Sequence, residues 1–427
     1  MREKTSFLYR CLEVIPGMCT WATLLGAVAL SIMNPMVAFY AIIAFDLYWL
    51  FRVMYFVFYL LLSWRQYRHT IAVPWHERLV VSSLPWQEVV HCIFLPTYKE
   101  PIDVIRKTLS SLAHLTYDPK RFIIVLAGEE RDGKNFTRIA EKLYAEFAPF
   151  FLDFVVTVHP KNLPDEIPSK GSNLNYAGHR MQEYIDAHRI PYHRCIVSAF
   201  DIDTIVHPEY FSYLTYLFLS SKNPERASYQ PVALYNNNIW ESSAVVRVAS
   251  FGTTFWIMTE LARPERLFTF SSHSMSWQAL VDVGFWEKTI VTEDSRIFLQ
   301  CLIHYQGQYR VEPMYLPVSM NTVMVKSWWK SLVNLYKQQR RWAWGIEHFS
   351  YMLWNFFCVK NTIPLSTKLY YLWNLGEGMF SWATAPILIF ILGRLPFYFA
   401  SQTLERTGLY HNTPFILERL LQFAMVG

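Results

Sequence analysis

Charge is scarce in this chain: Asp, Glu, Lys and Arg make up 17% of its 427 residues, against about 25% in ordinary soluble proteins. That shortage argues against two or three water-soluble domains and for one large domain with membrane segments. Paired cysteines are also missing. Cys11, Cys19, Cys92, Cys195, Cys301 and Cys358 are scattered with no C-x-x-C, which argues against a disulfide framework or a zinc site and places the working part in a reducing cytoplasm. There is no long basic run and no zinc-finger or helix-turn-helix spacing, so no nucleic-acid partner is expected. No Walker loop, G-x-G-x-x-G, H-E-x-x-H or G-x-S-x-G occurs. Those absences remove the usual ATPase, dehydrogenase, zinc-protease and serine-hydrolase readings. Internal repeats and low-complexity segments are absent as well.

What is present is apolar and aromatic: 52% hydrophobic residues, 16 Trp and 26 Tyr, the last two suited to the wet edge of a bilayer. Residues 14–33 carry no charge, and about 20 apolar residues are what a bilayer requires. Asn34-Pro35 predicts a turn, and residues 36–64 form a second run that contains Asp46 and Arg52. Each of these charges costs about 2.5–3.5 kcal/mol at the centre of a lone helix; six residues apart, they are not an obvious pair. The first run is too long, and too directly followed by another, for a cleaved leader. Arg2, Lys4 and Arg10 precede the first span and Arg65 and Arg68 follow the second. The positive-inside rule then places both ends, and everything from residue 65 onward, in the cytoplasm.

Residues 65–330 read as a soluble α/β domain. Short apolar runs at 91–95, 121–127, 154–158 and 194–200 predict buried strands, and 102–115 has helical spacing in Val104, Ile105, Leu109, Leu112 and Leu115. Strands alternating with helices predict a mostly parallel sheet, whose ligands bind beyond the carboxyl ends of the strands. Pro96-Thr97-Tyr98, Glu129-Glu130 and Asp201 all fall there. Further on, Trp328, Trp329, Leu332, Val333, Leu335 and Tyr336 alternate with Lys330, Lys337, Arg340 and Arg341, an interfacial helix in the making. Residues 369–393 form another span, weakened by Glu377 and Pro386, and 415–427 is apolar but short.

Four groups of residues carry chemistry. Asp201-Ile202-Asp203 follows an apolar strand; alternation would turn both carboxylates toward one divalent ion, Mg²⁺ or Mn²⁺, held together with substrate phosphate. A turn with Asx capping is the plainer explanation of such a triplet. Thr292-Glu293-Asp294 opens a predicted helix at 295–305. Thr292 suits its N-cap and the acids suit its dipole, while Asp294 is the candidate general base with Glu293 beside it. Lys170-Gly171-Ser172-Asn173 enters a predicted helix at 175–184, where a lysine and backbone amides can hold phosphate. Gln338-Gln339-Arg340-Arg341-Trp342 offers a guanidinium to a diphosphate and an indole to a sugar, or merely a headgroup anchor. His273 reads as a satisfied structural histidine.

Taken in order, these motifs resemble the membrane-embedded, inverting family-two glycosyltransferases, the group of cellulose, chitin, hyaluronan and poly-N-acetylglucosamine synthases, over roughly residues 90–345. The resemblance implies a GT-A, Rossmann-like catalytic domain flanked by transmembrane helices. It implies a nucleotide-sugar donor, usually a UDP-sugar, bound by Pro96, Thr97, Tyr98, Glu100, Glu129, Lys170, Asn173, Asp201, Gln338 and Arg341. Asp201 and Asp203 match the metal-binding pair, Asp294 the base, and Trp342 the acceptor-binding end of Q-x-x-R-W. Two departures stand out: glutamates at 129–130 replace the usual aspartates, and Ser272-His273 stands where small residues are common near the acceptor.

The expected layout is a transmembrane hairpin at 1–64, the catalytic domain at 65–330, an interfacial helix with the clamp at 331–360 and a C-terminal transmembrane region at 361–427. The acceptor is expected to be a growing polysaccharide; transfer of one sugar to a lipid or polyprenyl phosphate is the alternative, and a nucleotide-binding membrane protein without catalysis a distant third. The implied setting is a bacterial inner or plasma membrane with lipids as partners. Synthases that secrete polymer usually carry several helices after the clamp, whereas here one clear span and a fragment follow. Truncation at Gly427, assembly with copies or partner subunits, and a non-secreting enzyme are the three explanations.

Overall fold

The computed structural model describes residues 6–324, 327–400 and 406–426; Arg2, Lys4 and Gly427, used in the topology reading, lie outside them. The chain divides into two compact units, Met1–Leu61 with Ile346–Gly427, and Leu62–Gly345. It opens on two helices, α1 (Phe7–Met33) and α2 (Pro35–Ile71), broken at Asn34 as the Asn-Pro pair predicts. Both are long and apolar enough to cross a membrane.

In the second unit, α3 (Trp75–Val81) leads to β1 (Val90–Pro96), α4 (Ile102–Ala113), β2 (Phe122–Glu129), α5 (Lys134–Phe147), β3 (Asp153–His159), α6 (Lys170–Ala187) and β4 (Cys195–Ala199). These strands pair in parallel in the order β3-β2-β1-β4, with Cys92 in register with Ile123 on one side and Val197 on the other. Helices return on both faces, and every residue of β2 and β4 is buried, which is why they read as unbroken apolar runs. The α/β class and the Rossmann-like half are as expected.

The second half of the sheet is mixed, leaving four of the seven strand pairings parallel. After β5 (Ile205–Val206), α7 (Tyr210–Ser220), β6 (Ala227–Tyr235) and α8 (Ala244–Leu261) come β7 (His273–Ser276), α9 (Trp277–Asp282), α10 (Glu293–His304) and β8 (Arg310–Met320). They extend the sheet to β3-β2-β1-β4-β7-β6-β8-β5, with β7 antiparallel to both β4 and β6 and β8 parallel to β6. These strands contain Ser, Gln, Pro and His among their apolar residues, so they lack the compact apolar signature of the first four. α11 (Trp328–Ala343) closes this unit.

The first unit resumes with α12 (Glu347–Leu353), α13 (Leu365–Phe390), α14 (Leu395–Phe399) and α15 (Gly408–Val426). α13 and the segment Leu392–Phe399 are together long and apolar enough for a span but bend by 43° at their break, as a broken span or a re-entrant loop does. Its acid is paired: Glu377 accepts from Tyr48 Oη at 2.6 Å, from Ser381 Oγ at 3.0 Å and from Arg52. Arg52 thus finds its partner on another helix and not at Asp46. α15 is also longer than the fragment read from residue 415.

Candidate active site

The carboxyl edge of the sheet gathers the predicted acids. Asp201 and Asp203 sit just past β4 in a turn closed by Thr204 N to Asp201 O at 2.9 Å and steadied by Thr108 Oγ1 on Ile202 O at 2.7 Å. A turn, and not strand alternation, therefore brings the pair together. Lys170 Nζ donates to Asp201 Oδ1 at 2.5 Å, Ser271 Oγ donates to Asp201 Oδ2, and Asn321 N donates to Asp203 Oδ2 at 2.9 Å.

Lys170 reaches this point from the first turn of α6, which starts five residues earlier than its apolar spacing predicts. Ser169 and Ser172 form a reciprocal capping box there. Gly171 permits the approach: a Cβ on it would lie 2.8 Å from Glu287 O and 2.9 Å from Glu293 Cβ. Lys170 Nζ consequently stands 3.8 Å from Glu293 Oε1. Glu293 and Asp294 occupy the first turn of α10, and Thr292 holds the N-cap position without a side-chain capping bond.

Burial and mutual repulsion dominate the electrostatics. Burial, then Asp201, pushes Asp203 up to about 6 and Glu100 above its ordinary value. Burial also pushes Glu293 up to about 7 and raises Asp294, with Lys170 opposing both shifts. Asp201 alone is lowered: burial raises it, but Lys170, Ser271 and Arg341 outweigh that. Burial would lower Lys170, and Asp201, Glu293 and Asp294 hold it protonated instead. Five carboxyl groups thus share this edge with two cations, Lys170 and Arg341, an excess of acid that a divalent cation would reduce. Among the described residues no three His, Cys, Asp or Glu are placed to hold a metal ion by themselves.

Gln338, Gln339 and Trp342 of the clamp lie on the inner face of α11, while Arg340 and Arg341 are exposed. Leu335, Gln338, Gln339 and Trp342 line a small cavity with Tyr235, Ser250 and Thr322, and the Trp342 ring lies 6.3 Å from that of Tyr235. Trp329, Val333 and Tyr336 stay exposed.

Other predicted residues are elsewhere or otherwise engaged. Pro96 ends β1, and Thr97 N donates to Ala127 O at 2.9 Å. Asn173 is buried, and its Nδ2 donates to the same carbonyl at 2.8 Å, tying α6 to the end of β2. Glu129 is buried and bonded by Arg131, while Glu130 accepts from Lys161 N at 3.0 Å. His273 is half satisfied: its Nδ1 lies 2.9 Å from Phe270 O, and Nε2 has no partner.

Sequence reasoning missed Ser271, Arg131 and Tyr235. Ser271 sits in a stretch already conspicuous for its polarity, and Arg131 is two residues past a noted glutamate. Tyr235, close enough to Asp201, Asp294 and Asp203 for their charges to raise its hydroxyl further after burial has done so, gives no local signal. The end of β6 reaches the site only through the sheet order.

Residues 196–400 match the family model of glycosyl transferase family group 2, a stretch that contains Asp201, Asp203, Glu293, Asp294, Gln338, Arg341 and Trp342. No curated protein sequence matches the chain. Among solved structures, a mannosyltransferase from Pyrobaculum calidifontis in complex with GDP-Man and Mn²⁺ aligns at 13% identity, covering 90% of this chain and 98% of that one, with a TM-score of 0.48. TarS from S. aureus aligns at 11% identity, covering 78% of this chain and 53% of that one, with a TM-score of 0.42.

Proposed function

We propose that this protein is an inverting glycosyltransferase that moves a sugar from a nucleoside diphosphate sugar to an acceptor at a membrane. The observation that carries this reading is the convergence of Asp201, Glu293 and Asp294 on Lys170 at the carboxyl edge of the sheet, with Asp203 beside Asp201. Lys170 and Arg341 meet the diphosphate, and Trp342 stacks on the acceptor sugar. Asp294 takes the proton of the attacking hydroxyl as the new bond to the anomeric carbon forms and the bond to the diphosphate breaks. The raised carboxyl of Asp294 makes it a better proton acceptor than an exposed aspartate. Asp201 and Asp203 would hold Mg²⁺ or Mn²⁺, which when bound neutralises charge developing on the leaving diphosphate.

The acceptor is a growing polysaccharide, made by a processive integral membrane enzyme with its catalytic unit in the cytoplasm. One observation supports a second acceptor, a lipid or polyprenyl phosphate: α11 shows Trp329, Val333 and Tyr336 to the outside on the same helix that carries Trp342 inward. α8 likewise exposes Val245, Val248 and Phe251, an apolar stripe suited to lipid. Membranes containing the protein, given labelled nucleotide-sugars and Mn²⁺, test the reading. Asp294→Asn should lower kcat by roughly 10²–10⁴-fold with the donor still bound; a variant transferring at the wild-type rate removes Asp294 as base. Product sizing separates a polymer ladder from a single added sugar.

A further inference from the structure

The carboxyl end of β2 has a feature that the proposed transfer does not use. Glu129, the last residue of β2, is buried, and its Oε2 accepts from both Nε, at 2.6 Å, and Nη2 of Arg131. The guanidinium carbon of Arg131 stands 4.9 Å from the centre of the Tyr98 ring, which is 40% exposed. A lone carboxylate beside an aromatic ring would suit uracil, which presents a single N–H between two carbonyls. Here the carboxylate is joined to a guanidinium that has spent only its Nε–Nη2 edge. What remains is the other edge of the Arg131 fork, on a side chain 31% exposed, next to one acceptor, Glu129 Oε1.

We infer that this site selects a guanine nucleotide: the donor would be a GDP-sugar, with Arg131 and Glu129 as the residues that read the base. The inference rests on the glycosyltransferase reading above and departs from the uridine donor implied by resemblance. Guanine offers N7 and O6 as adjacent acceptors, the edge an arginine fork takes in bidentate fashion, and then N1–H as a donor for the carboxylate. Three neighbouring groups are matched. Uracil alternates acceptor, donor, acceptor, so it satisfies the carboxylate and one arm of the fork and leaves the other arm unpaired. A donor that a bound base covers without giving it a partner costs about 1–3 kcal/mol. Adenine places a donor where the fork needs an acceptor. Cytosine has two adjacent acceptors, but one of them flanks the nitrogen that bears the ribose, where the sugar obstructs a guanidinium.

The experiment is nucleotide binding to the full chain in detergent, by calorimetry or thermal shift, with GDP, UDP, CDP and ADP each in the presence of Mn²⁺. GDP should bind at least ~10-fold more tightly than any of the others. Arg131→Lys, which keeps the charge but not the fork, should lose most of that preference while retaining the wild-type melting temperature without nucleotide. Arg131→Met should weaken GDP by ~10-fold or more. UDP or CDP binding as tightly as GDP, or an unchanged GDP preference in both variants, overturns the inference and leaves the glycosyltransferase reading intact. Failure of every nucleoside diphosphate to bind overturns both.

Discussion

At the scale of single residues, the acids illustrate how far motif reading goes. Asp201, Asp203 and Asp294 were legible because a short apolar run followed by carboxylates is a local pattern. Their partners were not, since Ser271 lies 70 residues from Asp201 in the chain. A second buried group gives a prediction independent of catalysis. His91 is fully buried, bonds Thr215 Oγ1 through Nε2 at 2.9 Å, and has no partner for Nδ1. Burial depresses it from 6.5 to about 3. A folded-state value below the unfolded one contributes stability that is complete above pH ~6.5 and drains away as pH falls toward the folded value, by at most ~1.4 kcal/mol per pH unit. Melting temperature should therefore fall between pH 6.5 and 4 more steeply in the wild type than in His91→Gln. Parallel curves for the two proteins would contradict it.

At the scale of elements, helix starts and sheet edges do the positioning. The apolar spacing of α6 is visible only from residue 175, because its first turn is polar and small. That turn is the part that matters. Its Lys-Gly pair lets one helix N-terminus touch another, with Gly171 against Glu287 O and Glu293. Gly171→Ala should force α6 and α10 apart and displace Lys170 from Asp201, lowering kcat at least ~10-fold and costing about 1–3 kcal/mol of stability. Turnover together with thermal melts checks both effects; wild-type values in both would mean that the backbone relaxes freely. α11 was legible in part. The sequence showed an amphipathic helix there, but it grouped Leu335 with Trp329, Val333 and Tyr336, whereas the fold turns Leu335 inward with Gln338 and Trp342 and leaves the other three exposed.

At the scale of the whole molecule, the first unit contains a device that the charge count does not reveal. Arg52 and Glu377 are 325 residues apart, and their side chains are 14% and 6% exposed. Each looked like a flaw in its own apolar run; together they cancel. Removing one partner of a buried pair leaves an uncompensated charge and costs about 3–5 kcal/mol, whereas replacing both with apolar groups is often neutral. Glu377→Leu should therefore lower the melting temperature in micelles, and Arg52→Leu with Glu377→Leu should restore most of it. A double variant as unstable as the single one would show that the polar cluster with Tyr48 and Ser381 matters beyond charge balance.

The sequence by itself determined the local things: two apolar helices and the break between them, four buried strands with the helices that alternate with them, and the acids at their carboxyl ends. These depend on hydrophobic periodicity and on neighbours a few residues away. Only the tertiary structure decided which distant groups meet. It joined Lys170 to both Asp201 and Glu293, brought Tyr235 into the cleft through the β6–β8 half of the sheet, and matched Arg52 with Glu377. The physical reason is that burial makes a charge expensive unless an opposite charge or a donor is within a few ångströms. Nothing in the linear order of residues says which partner will be that close.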